Sequence, residues 1–312
     1  MIRFVKHQDI DPIAWNHAIE KALNGSVFAS FEMLDALTGN SSWHAIIQDD
    51  YAAVLPLPYR RKFGISYLYT PFFLPKMGIF AENLVNPDES LMFFNAIPRR
   101  YLQIDLLFNK ENNISDLPGN QLFLTSHEVD LQTSYNALLA GFSQNTRRNI
   151  KSAEKHFLTI EKNNKLIDEI INLFEQNRGK DRAVHYHPQD YLMLGRASEV
   201  LLQKGQLDVL GVRDASQKLI AGAFMVRDGK RIWFWFSGRD ESAFECKPMF
   251  FLIHEYLKAN CETRVVFDFN GSTNENVARF YRGFGAIPYP IPMIQYSRIA
   301  ILGFLKKKLV NR

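Results

Sequence analysis

Asp268 is flanked by Phe267 and Phe269 in an apolar run that reads as a strand. Side chains alternate across a strand, so both rings face one way and the carboxylate the other. A buried acid is costly without a partner or a task. Near the end of a central strand, Asp268 could accept or orient the proton of an amine nucleophile. It could instead cap the following turn, or pair with Arg279 or Arg282. Asn270, Gly271 and Ser272 follow. Ser272 or Thr273 can cap the helix starting at Asn274, and that helix N-terminus suits an anion or a carbonyl. Asn270, Ser272 and Asn274 are therefore expected on the substrate side.

Arg147, Lys151 and Lys155 recur every four residues, with Arg148 adjacent. They make one basic helical face. Such a face can clamp the phosphates of a nucleotide sugar, a CoA or a tRNA acceptor stem, or stand as a solvated surface. Guanidinium suits bidentate phosphate contact, so Arg147, Arg148 and Lys151 are the expected binding residues. The loop Arg178 to Pro188 carries His185 and His187, but no acid or third histidine stands at helical spacing. No metal is expected there. Cys246 and Cys261 form no Cys-x-x-Cys pair, which excludes a structural thiol zinc site, a redox pair and a disulfide framework.

The elements that must position these residues are legible. Residues 9–23 and 29–38 read as helices, Trp43 to Gln48 and Ala52 to Tyr59 as strands about a turn at Asp49-Asp50. Ser66 to Phe80 reads as an aromatic strand broken by Pro71 and Pro75, Asp88 to Ile97 as a helix, Tyr101 to Phe108 as a strand. Residues 109–120 are turn-rich, and a boundary near 125 divides the chain into domains 1–125 and 126–312. Glu128 to Leu131 is a short strand. Ser134 to Lys155 is a helix pair broken near Gly141, and Leu158 to Glu161 a strand. Leu166 to Asn177 and Pro188 to Lys204 are helices, the latter with proline in its first turn. Leu207 to Arg213, Leu219 to Arg227 and Arg231 to Ser237 form a meander, with Asp228-Gly229 as a hairpin signal. A helix (Pro248 to Ala259), a strand (Val265 to Phe269), a helix (Asn274 to Phe284) and a strand within Pro288 to Ser297 complete the order. This predicts an α/β (mixed α+β) fold, each half a mixed, mostly antiparallel sheet flanked by helices.

Asn274 to Ala286, with Arg279-Phe280-Tyr281-Arg282-Gly283-Phe284-Gly285-Ala286 at its end, resembles the last helix of the GNAT acyltransferase superfamily. Phe267 to Ser272 before it and Thr146 to Lys155 upstream are similar to the Fem-type, FemAB-like branch, which carries two GNAT-like domains in tandem. The resemblance covers about residues 134–297, and two-domain length extends it to the whole chain. It implies a bacterial-type N-acyltransferase or aminoacyltransferase, moving an acyl group from an activated thioester or ester to an amine acceptor, a small molecule or a peptidoglycan precursor. It implies that Tyr281 protonates the leaving group while Asp268 assists the amine, and it leaves acyl-CoA and aminoacyl-tRNA open as donors. In GNAT enzymes a glycine-rich loop holds the donor pyrophosphate. The matching loop here, Gly238 to Pro248, lacks the second glycine and carries Asp240, Glu241 and Glu245. Acids repel a phosphate that glycine N–H groups would cradle. Arg239 at its head is counted with the substrate-binding residues. A GNAT-like binding module without chemistry, recognising an anionic partner, is the alternative.

Composition sets outer bounds. Of 312 residues, 46% are hydrophobic and 22% charged, which is ordinary for globular chains. A formal charge of 37 − 33 = +4 is too small for a DNA-coating protein, so any anion site is local. The counts of 25 Phe, 12 Tyr and 4 Trp point to buried sheets or a roomy groove. The start has no signal-peptide run, and Ile299 to Leu305 is far short of a membrane span. A cytoplasmic protein without a transmembrane segment is expected. Gly303 to Leu309 mixes apolar and basic residues and suits weak contact with an anionic membrane surface, or an ordinary charged end.

Overall fold

The computed structural model describes residues 1–39, 41–177, 186–271 and 274–299. They group into two compact units. The first runs from Met1 to Leu124 and takes in the described residues from Pro290 onward; the second runs from Thr125 to Tyr289.

In the first unit, β1 (Ile2–Lys6) is followed by α1 (Pro12–Lys21) and α2 (Phe31–Thr38). Then come β2 (Trp43–Gln48), β3 (Ala53–Lys62), β4 (Ile65–Tyr69), the short β5 (Phe80–Ala81), α3 (Pro87–Asn95) and β6 (Tyr101–Leu107). Asp11 caps α1 through the N–H groups of Ile13 and Ala14, and a capping box between Asn86 and Glu89 starts α3. β1, β2, β3 and β4 pair antiparallel in chain order. β4 then pairs parallel to β6.

In the second unit, β7 (Asn120–Asp130) leads in, and α4 (Tyr135–Gly141) and α5 (Gln144–Ala153) follow. After them come β8 (Thr159–Lys162), α6 (Ile167–Gln176), α7 (Pro188–Gln203), β9 (Leu207–Arg213), β10 (Leu219–Asp228) and β11 (Arg231–Arg239). α8 (Pro248–Asn260), β12 (Val266–Asp268) and α9 (Glu275–Gly283) complete the unit, and the last strand, β13 (Ile287–Ser297), begins here and belongs to the first unit from Pro290 on. β8, β9, β10 and β11 pair antiparallel, and β11 pairs parallel to β12. β12 is flanked on its other side by β7, antiparallel.

The two units thus repeat one scheme: strand, two helices, three antiparallel strands, a helix, and a fifth strand parallel to the fourth. No residue identity announces this, because the burial pattern repeats and the side chains do not. The elements fall where the hydrophobic periodicity puts them, with two differences. β1 was not expected. Its five residues alternate too briefly, and only Val5 is buried. β7 is longer than the expected Glu128 to Leu131, since its first half is mostly exposed and shows no alternation.

The second unit's sheet has two unlike faces. Phe234, Phe267 and Phe269 pack with Leu252 and Ile253 of α8 and with Tyr281 and Phe284 beside them in one buried cluster. Opposite this face, α6 lies close on β10 and β11. A Cβ on Gly238 would stand 2.4 Å from the Ile170 carbonyl oxygen and 2.8 Å from the Phe174 nitrogen. Only glycine lets the helix backbone come this near.

Candidate functional site

β11 and β12 pair over three positions only, Arg231 with Val266, Ile232 with Phe267 and Trp233 with Asp268. β12 ends there, and β11 runs on to Arg239. The register of β11 against β10 slips between Phe224 and Met225, leaving Trp235 as an extra residue. Such a bulge raises the local twist and re-aims the strand. A cavity of about 1010 Å³ opens beside the released strand.

Its lining comes from five elements. β11 gives Phe234, Ser237, Gly238 and Arg239, and α6 gives Phe174. The start of α8 gives Pro248 to Phe250, and α9 gives Asn276, Arg279, Tyr281 and Arg282. α5 gives Asn145, Thr146 and Asn149. Ser143 ties the α5 and α9 walls together. Its N–H donates to the Gly283 carbonyl at 2.9 Å, and its hydroxyl caps α5 by accepting from the Thr146 N–H at 3.1 Å.

Tyr281 lies in this lining, 7% exposed. Its ring stacks on Phe269 at 4.4 Å and meets Phe234 edge-on at 6.3 Å. His127 of β7 stands 5.9 Å from it and is fully buried. Neither ring nitrogen of His127 has a hydrogen-bond partner. Burial, then the charge of Arg282, lowers the His127 pKa and so favours the neutral imidazole. Nothing in the sequence around it marked His127.

Asp268 is fully buried on the opposite face of the sheet from Tyr281. Its Oδ1 accepts from the Ser126 hydroxyl at 3.0 Å and from the Asn270 N–H at 2.9 Å. Its Oδ2 accepts from Arg231 Nη1 at 2.7 Å and from the Tyr289 hydroxyl. Arg231 also reaches Glu128 at 2.9 Å. Burial pushes the Arg231 guanidinium down, but the charges of Asp268 and Glu128 outweigh it and raise its pKa. Burial and the Asp268 charge push the Tyr289 phenol far up. Four donors occupy the four acceptor positions of the Asp268 carboxylate. Neither Arg279 nor Arg282 is the partner foreseen for it: they sit with Tyr281 across the sheet. The expected pairing of Asp268 with Tyr281 in one cleft is therefore not what the structure shows. The alternation that puts Phe267 and Phe269 toward Tyr281 turns Asp268 away.

The other expected residues divide. Arg239 lines the cavity. Asn274 caps α9, accepting from the N–H groups of Asn276 at 2.9 Å and Val277 at 3.4 Å, both of which line the cavity, while Asn274 itself does not. Asn270 is a turn residue at φ +60°, and its N–H serves Asp268. Arg147, Arg148 and Lys151 are exposed on α5 and absent from the lining. Their helix instead turns its polar neighbours Asn145, Thr146 and Asn149 inward. Ser272 lies outside the described residues, as do residues 178–185, with His185, and the segment Gly303 to Leu309.

Among the described residues, four cations, Arg239, Lys247, Arg279 and Arg282, line the cavity, against one acid, Glu241. The acids of the loop after β11 largely turn elsewhere. Asp240 accepts from Lys218 Nζ at 2.7 Å and caps the following turn through Ser242. Those hydrogen bonds hold its carboxyl down at about 2. Glu245 lies 3.7 Å from Lys247 and is 85% exposed. The expected repulsion of a phosphate by three acids thus reduces to Glu241. Among the described residues, no three His, Cys, Asp or Glu side chains converge to hold a metal ion. None of the described helices is long and apolar enough to cross a membrane.

Residues 140–279 match the family model described as acetyltransferase (GNAT) domain. No curated protein matches the chain. Among solved structures, FemX is similar at a TM-score of 0.66 and 11% identity, over 91% of this chain and 96% of that one. A conserved protein of unknown function from Bacteroides thetaiotaomicron gives 0.63 at 11% identity, over 96% and 100%. L-PGS from Bacillus licheniformis gives 0.58 at 13% identity, over 97% and 98%.

Proposed function

Because the chain has the GNAT-like fold of the Fem type, we propose that its second unit is an acyltransferase using a phosphate-bearing activated acyl donor and an amine acceptor. The observation that carries this reading is the cavity beside the released end of β11, apolar at its floor and cationic around it. Arg239, Lys247, Arg279 and Arg282 suit donor phosphates, in place of the glycine N–H cradle that the loop lacks. α8 presents its N-terminal end to the same cavity, and the helix dipole favours negative charge there.

An activated ester or thioester supplies the electrophilic carbonyl. Phe234, Phe250 and Phe280 give the lining an apolar part, against which a charge interaction is stronger than in open water. Tyr281 is the phenol placed to give a proton to the departing oxygen or sulfur. Asp268 acts through the fold. With Arg231 and Ser126 it fixes the end of β12, and so the point where β11 is released. The acceptor amine belongs to a small molecule or an envelope precursor in this reading.

The test is a donor screen with CoA thioesters and charged tRNAs, read by transfer to a panel of amines. Transfer from either class supports the proposal. Tight binding of an anion with no transfer from any donor supports the alternative, a binding module.

A further inference from the structure

One end of the first unit's sheet surrounds an exposed aromatic ring with cations. Lys62 pairs with Ile65, so Phe63 and Gly64 alone join β3 to β4. They take φ +50° and +80°, as in a type I′ turn, where Asn, Asp and Gly are the ordinary occupants. A bulky residue in this region is disfavoured, yet Phe63 holds it and is 91% exposed. A Cβ on Gly64 would meet nothing within 4 Å, so the turn projects into open space. In the equivalent hairpin of the second unit Asp228 pairs with Arg231, so the turn is Gly229-Lys230, with no aromatic ring. The topology therefore does not require the ring of Phe63.

The cations gather by register. Arg60, Arg61 and Lys62 lead into the turn. Ser66 pairs with Tyr101, which brings Arg99 and Arg100 to the same end. Gln103 pairs with Ser297, and the Arg298 N–H donates to the Leu102 carbonyl at 2.8 Å, which adds Arg298. β4 lies between β3 and β6, so the Arg60–Lys62 group and the Arg99–Arg100 pair stand two strand spacings, about 9.6 Å, apart. Arg298 is one strand from Arg99 and Arg100. The Debye length is about 8–10 Å at moderate salt. No Asp or Glu occurs in residues 57–70, 97–104 or 296–299.

We propose that this end of the first unit docks on an anionic lipid bilayer, with Phe63 entering the headgroup region and the surrounding cations meeting lipid phosphates. An apolar wedge inside a basic collar is the chemistry of the membrane interface. RNA would satisfy the cations, but it takes up an exposed ring only by stacking an unpaired base.

The test is flotation of the full chain with vesicles of phosphatidylcholine alone or mixed with phosphatidylglycerol. Binding is expected to the mixed vesicles only, and to fall as salt rises. The double variant Arg61→Ser, Lys62→Ser should bind about tenfold more weakly or worse. Phe63→Ser should bind more weakly with an unchanged salt dependence. Charge reversal at one exposed position, Lys62→Glu, repeats the test with the least risk to folding. Absence of binding to mixed vesicles, or wild-type binding by all three variants, overturns the proposal. So does salt-sensitive binding of an oligoribonucleotide that these variants lose while vesicles remain unbound.

Discussion

Tyr281 and Asp268 lie on one short strand–helix passage and do different work. Tyr281 lines the cavity, and the Asp268 carboxylate is held by Ser126, Asn270, Arg231 and Tyr289. Tyr281→Phe should lower kcat about 100-fold with little change in KM, as expected for a lost proton donor; steady-state kinetics with the identified donor checks this. Asp268→Asn should cost about 3 kcal/mol of stability, because it leaves Arg231 buried with a weakened partner; urea unfolding measures it. His44 adds a pH dependence. Burial, then Arg100, lowers its pKa to about 4, below the unfolded value of about 6.5. The unfolded chain therefore binds the extra proton between these values. Stability from neutral His44 is full above pH 6.5 and is lost as pH falls toward 4. A His44→Gln variant should show a shallower loss in denaturation curves across that window.

At the scale of elements, the site depends on how closely α6 can approach β11. Gly238→Ala sets a methyl group against helix backbone and should cost about 1–3 kcal/mol, seen as a lowered Tm and a reduced donor affinity together. Most elements were legible because burial writes a period of two or of 3.6 into the chain. Trp43 to Gln48 and Leu207 to Arg213 show no alternation; they are nearly continuously buried, and their short apolar runs bounded by turn residues mark them as strands. The site was legible in part. Tyr281 and Arg239 could be picked out from the family pattern. Lys247, His127 and the Arg279–Arg282 pair of α9 come from three separate segments, and only tertiary packing gathers them. Arg147, Arg148 and Lys151 misled because helical spacing shows that residues share a face without showing which way the face turns.

For the whole molecule, one topology is built twice, and the two copies have diverged in what they present. The second copy releases its fourth strand early and opens a cationic cavity there. The first keeps four parallel pairs between β4 and β6, from Ser66–Tyr101 to Tyr69–Asp105, and carries an aromatic ring and cations at its hairpin end. The central claim is that the second copy's cavity holds a phosphate-bearing acyl donor. Calorimetric titration of the full chain with CoA, and with deacylated tRNA, tests it most directly. The account predicts binding of at least one. That affinity should fall about tenfold or more in the Arg239→Ala, Arg279→Ala double variant and should persist in the Arg148→Ala, Lys151→Ala double variant. Binding of neither, or binding lost through the α5 pair and untouched by the cavity pair, would contradict it.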